Sequence, residues 1–388
     1  MYASTVLAYS CTPWHCLPGH VCVRCKCQLA PLPYGHDVSA EGMRKYNIFM
    51  PRICIVPRVD GPGGVTSFRL KFEEGLHARG VDVTNDPSQE VDCILVLAGT
   101  RKLLPLWRAR RRGIRVVQRL DGINWVHRAR WAGPRYTVRA IYGNANLSFI
   151  RARLADRVIY QSQFIKRWWE DWYRPARVPS NVIINGVDLN RYTPHGLHER
   201  PTGHQRLLVV EGSLAGGQNY GLFNAMSLAE ALSRKFKIEL MIVGRVDGRT
   251  KNRLKNQTAF RIQFMNTTPR EHIPWLMRSS HLLFSAEINP PCPNSVIEAL
   301  ACGLPVVGFD TGSLAELVPG NAGRLASYGA DQWKLRPPDI PALAEAATEV
   351  LQDQDRFRKQ ARERAESAFD VEKMVDEYLK ILLAEEIG

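Results

Sequence analysis

The sequence predicts an α/β protein of two Rossmann-like domains facing a cleft, and three observations carry that expectation. From residue 52 onward, short apolar runs of strand length alternate with helical patterns closed by glycine. The alternation breaks once, in a polar stretch punctuated by Pro194, Gly196, Pro201 and Gly203, and then restarts. Each half also begins alike, with a strand, a glycine turn and a helix.

In the first half the apolar runs place strands over residues 53–57, 81–84, 92–98, 115–120, 157–161 and 182–184. Helices fall between them, for example over 66–79, stopped by Gly80, and over 103–112, stopped by Gly113. Runs that are apolar throughout suit strands covered on both faces, which favours parallel sheets. The second half predicts strands over 207–210, 238–243, 262–264, 281–285 and 306–309, with helices over 220–233 and 270–279. Its densest stretch runs from Asn294 to Glu316. There a helix begins after Pro293, breaks at Gly303-Leu304-Pro305, and passes through a buried strand to a second glycine turn. That order sets a helix N-terminus, a strand end and the Glu298 carboxylate along one rim, where open α/β sheets bind nucleotides.

The glycine turns are Gly61-Pro-Gly63-Gly64 in the first half and Gly212-Ser-Leu-Ala-Gly216-Gly217 in the second. Glycines there let backbone N–H groups approach a phosphate at a helix N-terminus. Neither turn matches the dinucleotide or Walker pattern.

With 388 residues and 45% hydrophobic content the chain can bury two cores. No apolar run approaches the roughly 20 residues a spanning helix requires. Net charge is +14, and it is uneven: residues 1–195 carry +15 and residues 196–388 carry −1. Arginines from Arg108 to Arg157 are interleaved with Trp107, Trp125 and Trp131, and Trp168, Trp169 and Trp172 follow. Two readings stand for this region: a surface for the cytoplasmic face of an anionic membrane or for a polyanionic acceptor, or solvated helix faces with core tryptophans. No RNA- or DNA-binding motif accompanies the charge, so nucleic acid is not an expected partner.

Residues 1–45 lack periodicity and are expected to be a poorly ordered extension. Cys22, Cys25 and Cys27 within it approach metal-ligand spacing, but no second pair stands at a standard distance. The isolated cysteines further on predict free thiols in a reducing cytoplasm. The remaining boundaries fall at 46–195 for the first domain, 196–365 for the second and 366–388 for an amphipathic terminal helix.

Four landmarks in order resemble the retaining glycosyltransferases of family 4, which have the GT-B fold, over nearly all of residues 52–385. They are Gly63-Gly64, Asn185-Gly186-Val187-Asp188, Ile242-Val243-Gly244, and Glu298-Ala-Leu-Ala-Cys-Gly303-Leu-Pro305-Val-Val. The resemblance implies a nucleotide-sugar donor in the second domain and a saccharide or lipid-linked acceptor in the first. It further implies that Glu298 bonds the ribose hydroxyls, that backbone N–H groups near Asn294, Ser295 and Val296 face the donor, and that the terminal helix returns to the first domain. No cofactor or catalytic metal is implied. A carboxylate just inside a helix start is fixed in direction and can accept two hydroxyl bonds, which agrees with the ribose role.

Departures from the family pattern are informative. The usual first glutamate, eight positions before the second, is here Pro290. The usual diphosphate-clamping Arg and Lys align with Ser213 and Gln218. Departure of a diphosphate needs its charge stabilised, so replacements are expected in Arg245, Arg119 across the cleft, and the Gly216 and Gly217 N–H groups. Asp121 follows strand 115–120, where the family often has a His-Asp pair, and is a candidate for sugar or acceptor contact. His127 follows among arginines, and Glu287 and Glu316 border the same rim. The missing clamp also admits a second reading, a noncatalytic glycosyltransferase-like binding protein.

Overall fold

The computed structural model describes residues 50–61, 63–131, 133–214, 220–256 and 258–383. The expected extension over 1–45 lies outside them, as do Gly216, Gly217 and Gln218.

The first half contributes strands β1 (Arg52–Val56), β2 (Asp82–Thr84), β3 (Cys93–Leu97), β4 (Arg115–Leu120), β5 (Arg157–Tyr160) and β6 (Ser180–Val182). Between them run helices α1 (Gly64–His77), α2 (Leu103–Arg111), α3 (Val126–Ala129), α4 (Pro134–Arg153) and α5 (Gln163–Tyr173). The second half contributes β7 (Gln205–Ser213), β8 (Ile238–Arg245), β9 (Arg261–Asn266), β10 (Leu282–Phe284), β11 (Val306–Phe309) and β12 (Gly323–Ala326). Its helices are α6 (Tyr220–Ser233), α7 (Gly248–Asn256), α8 (Ile273–Arg278), α9 (Asn294–Ala301), α10 (Leu314–Leu317), α11 (Ile340–Gln352) and α12 (Gln354–Ala368), and α13 (Val371–Leu383) ends the described chain.

Two six-stranded sheets result, in the orders β2-β1-β3-β4-β5-β6 and β12-β11-β10-β7-β8-β9. Every pairing is parallel. Strand alternation explains the layers. In β1, Ile53 and Ile55 face a core with Phe68, Phe72 and Leu76 of α1 and Met374, Val375 and Tyr378 of α13. Cys54 and Val56 face the other side, against Leu106 and Ala109 of α2 and Ile150 of α4. The second sheet is covered likewise, by α6 and α11 on one face and by α8, α9 and α12 on the other. Parallel strands buried on both faces are why the sequence shows continuous apolar runs.

The chain crosses between halves at residue 187 and again at 370. Val187 N–H donates to Phe369 O at 2.7 Å, and Val371 N–H to Val187 O at 3.1 Å. A Cβ on Gly186 would stand 2.5 Å from Val371 Cα, so the Asn185-Gly186-Val187-Asp188 landmark is needed to pass the two segments side by side. Beyond this crossing α13 packs on α1 of the first sheet.

Two expectations shift. The strand expected over 182–184 begins earlier, at Ser180, because Tyr160 of β5 registers with Val182. β12 was not foreseen: four residues beginning with glycine carry too little pattern, and its pairing with β11 defines it.

The tryptophans divide. Trp125, Trp168 and Trp169 are buried, and Trp333 of the second half enters this group, 4.9 Å from Trp168 between ring centroids. Trp107 and Trp131 are exposed. Arg151, one of the basic series, is buried and bonds Tyr160 Oη and Arg174 O, so it is not part of the charged surface. Cys54, Cys93, Cys292 and Cys302 are buried free thiols. Burial pushes the Cys54 thiol up to about 12 and that of Cys292 to about 11, which keeps both protonated and inert.

Candidate active site

A cavity of about 390 Å³ opens between the C-terminal strand ends of the two sheets, lined from one side by Gly63, Gly64, Arg119 and Asp121 and from the other by Glu211, Glu287, Asn294 and Glu298. Parallel β-α units place it there, since every strand delivers its following loop to the same edge.

Glu298 sits one turn into α9 and is buried. It does not point to bulk solvent. Its Oε1 lies 2.8 Å from Lys71 Nζ, which comes from α1 of the opposite half and also reaches Gly186 O at 3.4 Å. Lys71 was not among the expected residues: its partner is 227 positions away, and nothing local in α1 marks it.

At the start of α9, Val296 N–H donates to Pro293 O at 3.1 Å. It is therefore not a donor to the cavity as expected, because the chain turns tightly enough at Pro293 to satisfy it internally. Among the described residues the Asn294 and Ser295 N–H groups donate to no protein acceptor, and both residues line the cavity. The Asn294 side chain spans the cleft to Gly64 O at 3.3 Å.

Arg119 is 1% exposed. Its Nη2 donates to Asn185 Oδ1 at 2.8 Å, and its guanidinium stacks 3.8 Å from the Phe68 ring centroid. Nε and Nη1 make no hydrogen bond of good geometry, and the buried Tyr378 hydroxyl lies beside the guanidinium. Asn185 in turn faces Asn294 Oδ1 at 3.1 Å, so the domain-link asparagine ties Arg119 to the start of α9. Arg270 lines the same cavity.

Three carboxylates face the same cavity from its two sides. Burial raises the Asp121 carboxyl, with Arg119 opposing. Burial also raises Glu211, and it raises Glu287 with further repulsion from Glu211 and Asp121. Glu287 is open to the cleft's own space while protein walls surround it, which is how one group is both accessible and poorly solvated. Arg245, at the end of β8, lines an adjoining cavity of about 370 Å³ with Trp125, Tyr220 and Glu287 rather than the main one. The Gly244 landmark before it follows from a close approach: at φ +143°, a Cβ there would strike Glu211 O.

Glu316 occupies a different place from the donor rim expected for it. Its carboxylate accepts from Gln163 N–H at 2.8 Å and Phe164 N–H at 2.6 Å, the unsatisfied donors at the start of α5. A helix N-terminus attracts a carboxylate through these N–H groups and the dipole together. Glu316 thus docks the two halves, beside Ser162, which caps α5 and donates to Pro291 O at 2.8 Å. His127 lines a separate groove beside α4, not the cleft, and burial lowers its pKa.

Residues 206–353 match the family described as Glycosyl transferases group 1. No curated protein matches the chain. Among solved structures, sucrose-phosphate synthase from Thermosynechococcus elongatus superposes with a TM-score of 0.66 at 18% identity, over 86% of this chain and 98% of that one. Anabaena HepE, solved with UDP and glucose, gives 0.62 at 18% identity over 86% and 100%. WaaG, a glycosyltransferase involved in lipopolysaccharide biosynthesis, gives 0.62 at 14% over 86% and 100%. The chain therefore has the GT-B fold of these solved structures, and residues 206–353 are similar to the family described as Glycosyl transferases group 1.

Proposed function

We propose that the protein is a retaining glycosyltransferase of family 4 that moves a sugar, of the hexose type, from a nucleoside-diphosphate sugar to a saccharide or lipid-linked acceptor. The observation that carries this reading is Glu298, held by Lys71 beside the two unsatisfied N–H groups that open α9. Glu298 keeps one carboxylate oxygen for the ribose hydroxyls, and the Asn294 and Ser295 N–H groups face the diphosphate. Arg119, which lines the cavity and is tied through Asn185 to the start of α9, supplies the cation that Ser213 and Gln218 do not. In the transfer the bond from the anomeric carbon to the diphosphate breaks, a bond to the acceptor oxygen forms, and the acceptor proton passes to the diphosphate.

Asp121 and Glu287 flank the sugar in this reading. Glu287, three residues before Pro290, is the carboxylate that this loop offers the cleft in place of the family's first glutamate. Arg245 belongs to the adjoining cavity and contacts the acceptor side. No metal or cofactor enters the proposal. Synthesis of a cell-envelope polysaccharide or glycolipid on the cytoplasmic face of a membrane is the process it would serve.

A second reading, a noncatalytic nucleotide- or saccharide-binding protein, is favoured by the carboxylates of Asp121, Glu211 and Glu287, which stand where a diphosphate adds more negative charge. Thermal shift with UDP, GDP and ADP, followed by donor hydrolysis, separates the two. UDP is the first donor base to try, because HepE holds it. Stabilisation by a nucleotide that weakens about 10- to 100-fold in affinity in Glu298→Ala, with slow release of free sugar, supports the transferase. Nucleotide binding without turnover supports the second reading, and no response to any nucleotide removes the transferase and leaves saccharide binding.

A further inference from the structure

We infer that the outer surface of the α2/α4 layer docks on an anionic lipid bilayer. This goes beyond the cleft chemistry and does not rest on it.

Helix α4 turns Ala140, Leu147 and Ile150 inward. Its outward side should be polar in a helix facing water. Instead Val138 is 67% exposed, Ile141 56% and Tyr142 58%, with Phe149 further along the same side. Trp131, just before the helix, is 75% exposed. Arg135 and Arg139 flank these side chains one turn apart, exposed and with no ion pair among the described residues.

Helix α2 extends the surface. It packs on the same sheet face as α4 through Leu106 and Ala109, and Arg110 donates to Arg153 O at 2.9 Å, fastening the two helices. Leu104 and Trp107 are exposed on it, and Arg111 lies 4.5 Å over the Trp107 ring. Residues 101–153 contain fourteen Lys or Arg, of which Arg119 and Arg151 are buried, and a single acid, Asp121, which faces the cleft. A groove of about 410 Å³ runs along α4, with Ile141, Phe149, Arg128 and Tyr173 among its lining residues.

Charge alone would fit any polyanion. Exposed Val, Ile, Phe and Trp on the same surface do not help bind nucleic acid phosphates, but they lower the free energy of a helix lying at the headgroup and acyl boundary while the arginines reach lipid phosphates. No helix among the described residues is long and apolar enough to cross a membrane, so contact is with the surface of the bilayer.

Flotation with vesicles of phosphatidylcholine, or of phosphatidylcholine with about 30 mol% phosphatidylglycerol, tests the assignment. The protein should float with the anionic vesicles and not the neutral ones. Arg135→Gln with Arg139→Gln should lower the anionic partition coefficient roughly thirty-fold, at about fivefold per arginine. Val138→Ser with Ile141→Ser should lower it about tenfold without altering charge. All four positions are on the surface, and an unchanged melting curve confirms that the fold is intact. Equal binding to both vesicle types, or anionic binding that the serine pair leaves unmoved, overturns the proposal. The latter result would make the surface a general polyanion site, with RNA or an acidic protein as its occupant.

Discussion

Lys71 and Glu298 join the two halves at the cleft, and replacing either tests whether this pair fixes the site. Their side chains are 13% and 10% exposed, and Nζ stands 2.8 Å from Oε1. At an effective dielectric of about 20, unit charges at that separation attract by roughly 6 kcal/mol. Desolvating two mostly buried ions costs several kcal/mol in opposition. A net coupling of about 1–3 kcal/mol remains, in the range found for contacting charged residues. Lys71→Ala should destabilise by more than the coupling, about 3 kcal/mol, because Glu298 then stays buried without its counter-ion. Glu298→Ala should cost less, since the longer lysine can reach cleft water. Urea unfolding of wild type, Lys71→Ala, Glu298→Ala and the double variant gives the coupling directly. A value within about 0.5 kcal/mol of zero would mean that the pair is not what holds Glu298, and the account of the site would lose its anchor.

The raised carboxyl of Glu287 predicts a pH dependence with a definite sign. Its folded pKa lies above the ordinary 4.5, through burial and repulsion from Glu211 and Asp121, so the folded state binds the proton more tightly and this group's contribution to stability is lost as pH rises above that value. Glu287→Gln should therefore be more stable than wild type at pH 8, with the difference vanishing near pH 4.5; thermal melts across that range check it, and a constant difference would contradict the assigned cause. Gly244→Ala should be poorly tolerated, at about 3 kcal/mol or more, because its Cβ meets the Glu211 carbonyl in a backbone conformation that favours glycine. Near-normal stability of that variant in denaturant would show that β7 and β8 can separate there.

The order of strands and helices was legible in the chain because parallel strands covered on both faces write themselves as continuous apolar runs, and glycines mark their ends. So was Glu298, which stands in a short unbroken motif whose helix start and strand end are local. Lys71, Asn185 and the paired carboxylates Glu211 and Glu287 were settled only by folding, since their partners lie far away in sequence and no spacing rule connects them. Glu316 shows the same limit from the other side: its turn resembles a donor-site turn, yet the unsatisfied N–H groups of α5 claim it once the halves meet. The basic tryptophan-rich segment was plain as composition. Which of its side chains are core, as Trp168 and Arg151 are, and which face outward, as Trp131 and Arg135 do, depended on the direction each helix turns toward its sheet. Sequence carries local periodicity and backbone demands, whereas pairing of charges and choice of surface follow from distances that exist only in the folded chain.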